Sequence, residues 1–376
     1  MSAAIVKQAT EQLKGHEMVI IIKSGTKKII TKAAILCASL VLVVTFSSVV
    51  AAAPEEKGRV EIIEKAKKEG SLMIYTTTTI TDFIELKASF EKKYPFLKVN
   101  AYQSGTVNLF VRAETEYKAG RNVVDVPMGT LWAAQWWFDA GLLGIYKSPE
   151  REAIPEYAKD ADGYWTSDYI NVGVIAYNTK LVPPDKIPKS YQDLLNPWWK
   201  GKVALDDTGF WWYSCMYDIL GKDKGRNFLQ KLAQQKIRIS RGQPLKVQLL
   251  AAGELFAIIQ AFNNQVELLK KKGAPIDWIA PIDQPTIMVP HTIAIAKNAP
   301  HPNAARLYID FILSKEGQQI LASFNRVPTR VDVPPDPARL IYGADGKKLT
   351  FLPVDFEKVK KATALNKEFK QLFMNQ

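Results

Sequence analysis

The chain has 376 residues, of which 47% are hydrophobic and 10% aromatic. That supplies enough apolar surface to exclude a disordered chain, and the length suits two domains of roughly 100–200 residues better than one core. The formal charge is +12, but there is no block of Arg and Lys and no nucleic-acid-binding motif, so nucleic acid is not an expected partner.

The first predicted element is a targeting segment. Lys23, Lys27, Lys28 and Lys32 precede an apolar run from Ala33 to Val50, which ends in Ala51-Ala52-Ala53. A basic region, an apolar region and small residues in that order mark a secretory signal peptide, read here over residues 1–53. Cleavage after Ala52 is favoured, because Pro54 sits badly directly after a cut at Ala53. Met18 is an alternative start. The run is just long enough to span a bilayer, so an uncleaved anchor competes with cleavage; after cleavage no membrane insertion is expected. Cys37 does not suggest a lipid anchor, since Leu36 stands where a small residue is required. Without residues 1–53 the chain loses six Lys and two Glu, and the charge falls to +8 from +12. A mild positive balance fits a small anionic partner or simple solubility. Cys215 is then the one cysteine left, so no internal disulfide is expected.

Beyond the signal, strands and helices alternate. Val60 to Glu69 has helical spacing and is closed by Gly70; Leu72 to Tyr75 reads as a strand, and Asp82 as the N-cap of a helix from Phe83 to Tyr94. Leu97 to Tyr102 is a strand, followed by a helix carrying Arg112, which is expected to pair with Glu116. Val123 to Val126 is a strand and Trp132 to Ala140 a helix. Further strands are expected at Val172 to Ala176, Val203 to Leu205, Ile237 to Ser240 and Phe256 to Gln260. Helices are expected through Trp211 to Leu220, Asn227 to Gln234 and Val247 to Leu250. The chain then returns through Ile287 to Ala296, one helix from Pro302 to Phe324, a Pro-rich turn and a Lys-rich helix. Such alternation predicts βαβ units around a mostly parallel sheet.

Several phrases, in order, resemble bacterial extracellular solute-binding proteins of the iron(III)/organic-anion type, which serve ABC importers. They are Gly70-Ser71-Leu72-Met73-Ile74-Tyr75 with Phe90-Glu91-Lys92-Lys93-Tyr94-Pro95, then Arg112-Ala113-Glu114 with Ala119-Gly120 and Asp125-Val126. Val172 to Asp207, with Tyr177-Asn178 and Trp198-Trp199-Lys200-Gly201-Lys202, resembles the segment crossing between lobes. Leu249-Leu250-Ala251-Ala252-Gly253-Glu254 and His301-Pro302-Asn303-Ala304-Ala305 through Glu316-Gly317-Gln318 match most closely. The resemblance implies an α/β fold of the periplasmic-binding-protein-like type II, two lobes joined by crossing hinge strands with a ligand cleft between them. It places lobe 1 at 54–170 and 285–330, lobe 2 at 171–284, and a C-terminal tail, 331–376, packing on the lobes. It also implies a periplasmic monomer that hands a solute to an ABC permease in the inner membrane. Iron-binding members carry adjacent tyrosines shortly after the LLAAGE phrase. Here the sequence reads Gln260-Ala261-Phe262-Asn263-Asn264, and amides are poor ligands for a trivalent cation, so free ferric iron is not expected and no cofactor or metal site is assigned.

Ligands of parallel α/β sheets sit beyond the carboxyl ends of strands. That selects Thr77 and Thr78, Ser104, Gly105 and Thr106, Thr130, Asp207, Thr208 and Gly209, and Arg241 with Gln243. A helix start bearing hydroxyls cradles a carboxylate or phosphate, and a guanidinium at Arg241 would clamp one bidentately. Trp132 and Trp211 are candidates for an aromatic wall, against the commoner role of core packing. Tyr177, Asn263, Asn264 and His291 complete the candidate set. Trp198 and Trp199 are expected in the core, and Cys215 as a buried inert thiol. No hydrolase elbow, zinc-helix motif, P-loop or dinucleotide fingerprint is present, so catalysis is not expected. The predicted function is capture of an organic carboxylate, phosphonate or phosphate ester by lobe closure. The alternatives are a ferric or ferric-chelate carrier, or a periplasmic sensor subunit.

Overall fold

The structure, a computed structural model, describes residues 54–240, 242–282, 284–342 and 346–374. The architecture below is that of the unit Gly58–Gln376, which α1 enters from Pro54. The signal segment 1–53 and Arg241 lie outside the described residues.

The first half alternates as predicted: α1 (Pro54–Glu69), β1 (Ser71–Thr76), α2 (Ile80–Lys93), β2 (Lys98–Gln103), α3 (Thr106–Lys118), β3 (Val126–Thr130) and α4 (Leu131–Asp139). Phe83, Leu86 and Phe90 recur at helical spacing on α2 and are the residues it buries. The long strand β4 (Thr166–Asn178) follows, then β5 (Val203–Asp206), α5 (Phe210–Leu220), α6 (Lys222–Ala233), β6 (Arg238–Ser240), α7 (Gln243–Ala252), β7 (Ala257–Phe262), α8 (Asn263–Lys271), β8 (Ile276–Ile279) and β9 (Thr286–Ile293). The chain ends with α9 (Pro302–Leu313), α10 (Lys315–Ser323), the short strands β10 (Val327–Pro328) and β11 (Phe351–Pro353), and α11 (Phe356–Phe373).

Among the described residues the strands form one sheet in the order β2-β1-β3-β9-β4-β7-β5-β6, with β8 and β10 also paired to β4 and β11 to β9. The predicted mostly parallel sheet is corrected at its centre. β1, β2 and β3 run parallel, as do β5, β6 and β7, but the two parallel sets are joined by antiparallel pairings of β9 and β4. The chain crosses between the sets once on β4 and returns on β9, so these strands must run opposite ways. All thirteen residues of β4 are buried, because it packs neighbours on both edges and both faces.

Other expectations are corrected locally. The N-cap of α2 is Thr79 rather than Asp82. Asp82 instead accepts from Arg326 (Nη2 2.7 Å, Nε 3.2 Å), a pair buried under the first turn. The predicted helix Pro302 to Phe324 is two helices, broken at Ser314, whose Oγ accepts from Gly317 N. A Cβ at Gly317 would lie 2.1 Å from the Phe311 carbonyl oxygen, so the tight break requires glycine. The strand expected at 123–126 begins at Val126, and β4 starts six residues before the predicted Val172. Strands β8, β10 and β11 carry too few residues for a periodic signal.

The expected pair of Arg112 and Glu116 forms, at 2.8 Å. Trp199 is buried in the core. Cys215 is buried as well, and desolvation pushes its thiol up to about 12. It should therefore resist alkylation in the native protein in mildly alkaline buffer and react fully in denaturant; native labelling at a free-thiol rate would contradict its placement.

Candidate ligand cleft

The pairing register locates where the two parallel sets face each other. β3 ends at Thr130, which is level with His291 on β9, and His291 is level with Tyr169 on β4. β7 ends at Phe262, which is level with Gly173 on β4. Tyr169 and Gly173 are four residues apart, about 13 Å along a strand. The carboxyl ends of β1 to β3 and of β5 to β7 therefore approach from opposite directions across this span.

Helices follow directly from those ends. Six of them, α2, α3, α4, α5, α7 and α8, start behind Thr79, Gly105, Thr130, Gly209, Gly242 and Phe262. None of these six capping residues closes its helix with a side-chain hydrogen bond. Of the helices that start elsewhere, α10 and α11 are capped by the side chains of Ser314 and Asp355, whereas α6 and α9, behind Gly221 and His301, have no capping side chain. The first-turn amide groups and the positive ends of six helix dipoles thus lie at the facing strand ends.

On the first side, Thr77 Oγ1 lies 2.9 Å from His291 Nε2, and Asp168 Oδ1 lies 2.8 Å from His291 Nδ1. An ionised carboxylate only accepts, so Nδ1 carries the proton toward Asp168, and in the neutral ring Nε2 accepts from the Thr77 hydroxyl. A register irregularity between Ser167 and Tyr169 accompanies Asp168, and the Tyr169 ring stacks on His291 at 4.3 Å and 10°. The Arg326 guanidinium sits over the other partner of that stack, 4.6 Å from the Tyr169 ring centre. Thr130 Oγ1 and Asp168 Oδ2 are buried without a hydrogen-bond partner. Ser104, Gly105 and Thr106 form the more exposed rim, where Ser104 Oγ accepts from Asn108 at 3.2 Å.

On the second side, Asp206 at the end of β5 receives the Lys246 ammonium at 2.5 Å, with Lys246 fully buried on α7. Burial disfavours both charges; for Asp206 the Lys246 charge and the bonds from Lys246 and Thr208 outweigh burial and hold its carboxyl below the ordinary range. Lys246 is held below its own range by burial. Asp206 also accepts from Thr208 through its backbone N–H and its hydroxyl, which ties down the loop through Asp207, Thr208 and Gly209. A Cβ at Gly209 would lie 2.8 Å from the Asp206 carbonyl oxygen, so only glycine fits this turn. Gln243 donates to the Gln260 carbonyl at 3.1 Å. Gln260 itself is fully buried with φ 59°, at a register irregularity opposite β4, and its Nε2 has no partner.

Trp132 on α4 stacks against Trp211 on α5 at 5.7 Å and 26°, and Trp211 against Phe262 at 6.1 Å and 23°. These rings join the two sides.

Thr77, Thr78, Thr130, Trp132, His291, Asp207, Thr208, Gly209, Trp211 and Gln243 thus lie at or next to the facing strand ends. Tyr177 and Asn178 are not brought there. They lie level with Ala257 and Ile276, at the far end of β4, where the Asn178 amide serves the Leu250 carbonyl and the turn at Lys180. Asn263 and Asn264 are buried at the start of α8, and Asn263 donates to the Leu340 carbonyl at 3.1 Å, toward the C-terminal segment. Gly173, Asp168, Tyr169, Gln260 and Phe262 were missed. Phe262 was legible as a residue at the end of β7, by the same strand-end rule that selected Thr130.

Residues 133–359 match the family described as bacterial extracellular solute-binding protein. The chain belongs to that family. Its fold is the two-lobed α/β type II of periplasmic binding proteins, the lobes joined by crossing strands, and its sequence relatives include "Iron uptake protein A2" of Synechocystis, 25% identical, the match spanning 66% of this chain and 76% of the relative. A Salmonella typhimurium protein named for 2-aminoethylphosphonate binding in the periplasm is 26% identical over 52% of this chain and 59% of its own. The periplasmic binding protein AfuA from Actinobacillus pleuropneumoniae, solved with fructose-6-phosphate bound, superposes with a TM-score of 0.70 at 24% identity, covering 81% of this chain and 99% of that one. The solute-binding protein described here thus has relatives and structural neighbours named for iron, a phosphonate and a sugar phosphate.

Proposed function

We propose that this solute-binding protein works in the periplasm, after loss of residues 1–53, as the monomeric capture subunit of an ABC importer. Its cargo is a small organic anion, a carboxylate or a phosphonate or phosphate ester, which it delivers to an inner-membrane permease. Lobe 1 comprises 54–170 and 285–330, lobe 2 comprises 171–284, and residues 331–376 pack on them as a tail. No helix among the described residues is long and apolar enough to cross a membrane.

The observation that carries this reading is the convergence of six helix starts, none closed by its own capping side chain, on the gap between the two sets of strands. Such amides favour an anion. Thr77, Thr130 and the Ser104 to Thr106 rim add hydroxyl donors, and Arg241, on sequence grounds, adds a guanidinium. The ligand is held by hydrogen bonds and released unchanged. Ferric iron is the weaker reading, because the position that pairs tyrosines in iron carriers holds Phe262, stacked on Trp211, and Asn263.

Isothermal titration of the purified protein against phosphate esters, phosphonates, carboxylates and ferric citrate tests the proposal. One organic anion class should bind at a single site, with Arg241→Ala weakening it more than tenfold while the melting curve stays intact. Binding of ferric iron alone would overturn the assignment of cargo, and an unchanged Kd in the variant would remove Arg241 from the site.

A further inference from the structure

We propose that the cargo carries a flat aromatic ring bearing a carboxylate, and that Trp132 and Trp211 close on the two faces of that ring. The inference rests on the reading above that the gap is the ligand site. Among the ring contacts of the described residues, most are edge-on or tilted, the geometry of ordinary cores. The three stacked pairs, Trp132 with Trp211, Trp211 with Phe262, and Tyr169 with His291, all lie at the facing strand ends.

Trp132 and Trp211 belong to helices from opposite sides of the gap, so their separation changes whenever the lobes move. Their centres are 5.7 Å apart. A ring sandwiched at van der Waals contact on both faces needs about 7 Å, so an opening of about 1–2 Å admits one. Phe262 also stacks on Trp211, at 6.1 Å. Two buried polar groups without partners belong to residues close to this stack in chain or register. Thr130 Oγ1 is two residues before Trp132, and Gln260 Nε2 lies beside Gly173, the residue level with Phe262. A carboxylate accepts from both a hydroxyl and an amide N–H, and either contact would satisfy a group now left unpaired.

The test is calorimetric titration of the full chain with benzoate, 4-hydroxybenzoate, phthalate and indole-3-acetate, against cyclohexanecarboxylate and glycerol phosphate. At least one aromatic acid should bind more than tenfold tighter than the saturated ring acid. Trp132→Leu and Trp211→Leu should each remove that preference, whereas Trp132→Phe and Trp211→Phe, which retain a ring and guard against misfolding, should keep it. Equal binding of saturated and aromatic acids, or a preference that survives both Leu variants, would overturn the inference. Tighter binding of glycerol phosphate than of every aromatic acid would sink the inference and leave the anion reading standing. Binding of none of these overturns it too.

Discussion

Lys246→Ala should lower the stability of this protein by about 3–5 kcal/mol, because it strands the Asp206 carboxylate in the interior. Lys246 is fully buried and its ammonium lies 2.5 Å from Asp206, itself only 3% exposed. Removing one partner of such a pair costs far more than removing both. Lys246→Met with Asp206→Leu should therefore recover most of the loss in urea midpoint. It should not recover ligand binding, since Thr208 then loses both its bonds to Asp206 and the loop before α5 is released. The pair also predicts an acid dependence. The folded pKa of Asp206 is depressed, so its contribution is fully present above the unfolded value of about 3.9 and is lost as pH falls below that through the folded value. Wild type should lose more stability than the Met/Leu double variant over that acid range, and parallel curves would contradict the assignment.

Truncation before Asp355 should be still more damaging. α11 buries Val359, Ala362, Phe369 and Phe373. Phe369 and Phe373 pack on Tyr213 of α5 at 5.9 and 6.2 Å, while Phe356 packs on Phe138 of α4 at 5.7 Å and on Trp165 at 5.5 Å. Glu368 accepts from the Tyr213 and Tyr217 hydroxyls at 2.6 and 2.7 Å. The helix therefore spans from the helix that carries Trp132 to the helix that carries Trp211. Losing Val359 and the two Phe side chains removes about 5–9 kcal/mol of burial, against a total of about 5–15 kcal/mol for a typical protein. The truncated chain should aggregate or melt roughly 10–20 °C lower. A fall of less than about 3 °C would show that the helix is dispensable.

Much of this architecture is legible in the sequence, for a physical reason. Helix and strand periodicity is local, and the strand–helix units from Ser71 to Asp139 follow from residues close in the chain. The central antiparallel strands were not legible, because direction depends on which strand lies beside which, and the main partners of β4, β7 and β9, lie far along the chain, as in the pairing of Gly173 with Phe262 and of Thr166 with Ile293. Its first half, Thr166 to Asn171, mixes polar residues that a half-buried strand would expose; Ser167, Asp168 and Asn171 are buried because β9, β10 and α10 cover them. The strand-end rule selected Thr77, Thr130 and Gln243, which do lie at the facing strand ends. Tyr177, chosen for its place in the crossing segment, lies level with Ala257 at the far end of β4. Asp82 looked like a cap until Arg326 came beside it in three dimensions, and Asp206, the partner of Lys246, is 40 residues away in the chain.

The central claim is that this solute-binding protein recognises negative charge on its cargo, and the most direct measurement compares one tight-binding solute with its uncharged methyl ester by calorimetry. Losing charge-assisted hydrogen bonds worth about 1.5–3 kcal/mol should weaken binding by about tenfold to a hundredfold. Equal affinity for the acid and its ester would contradict the account.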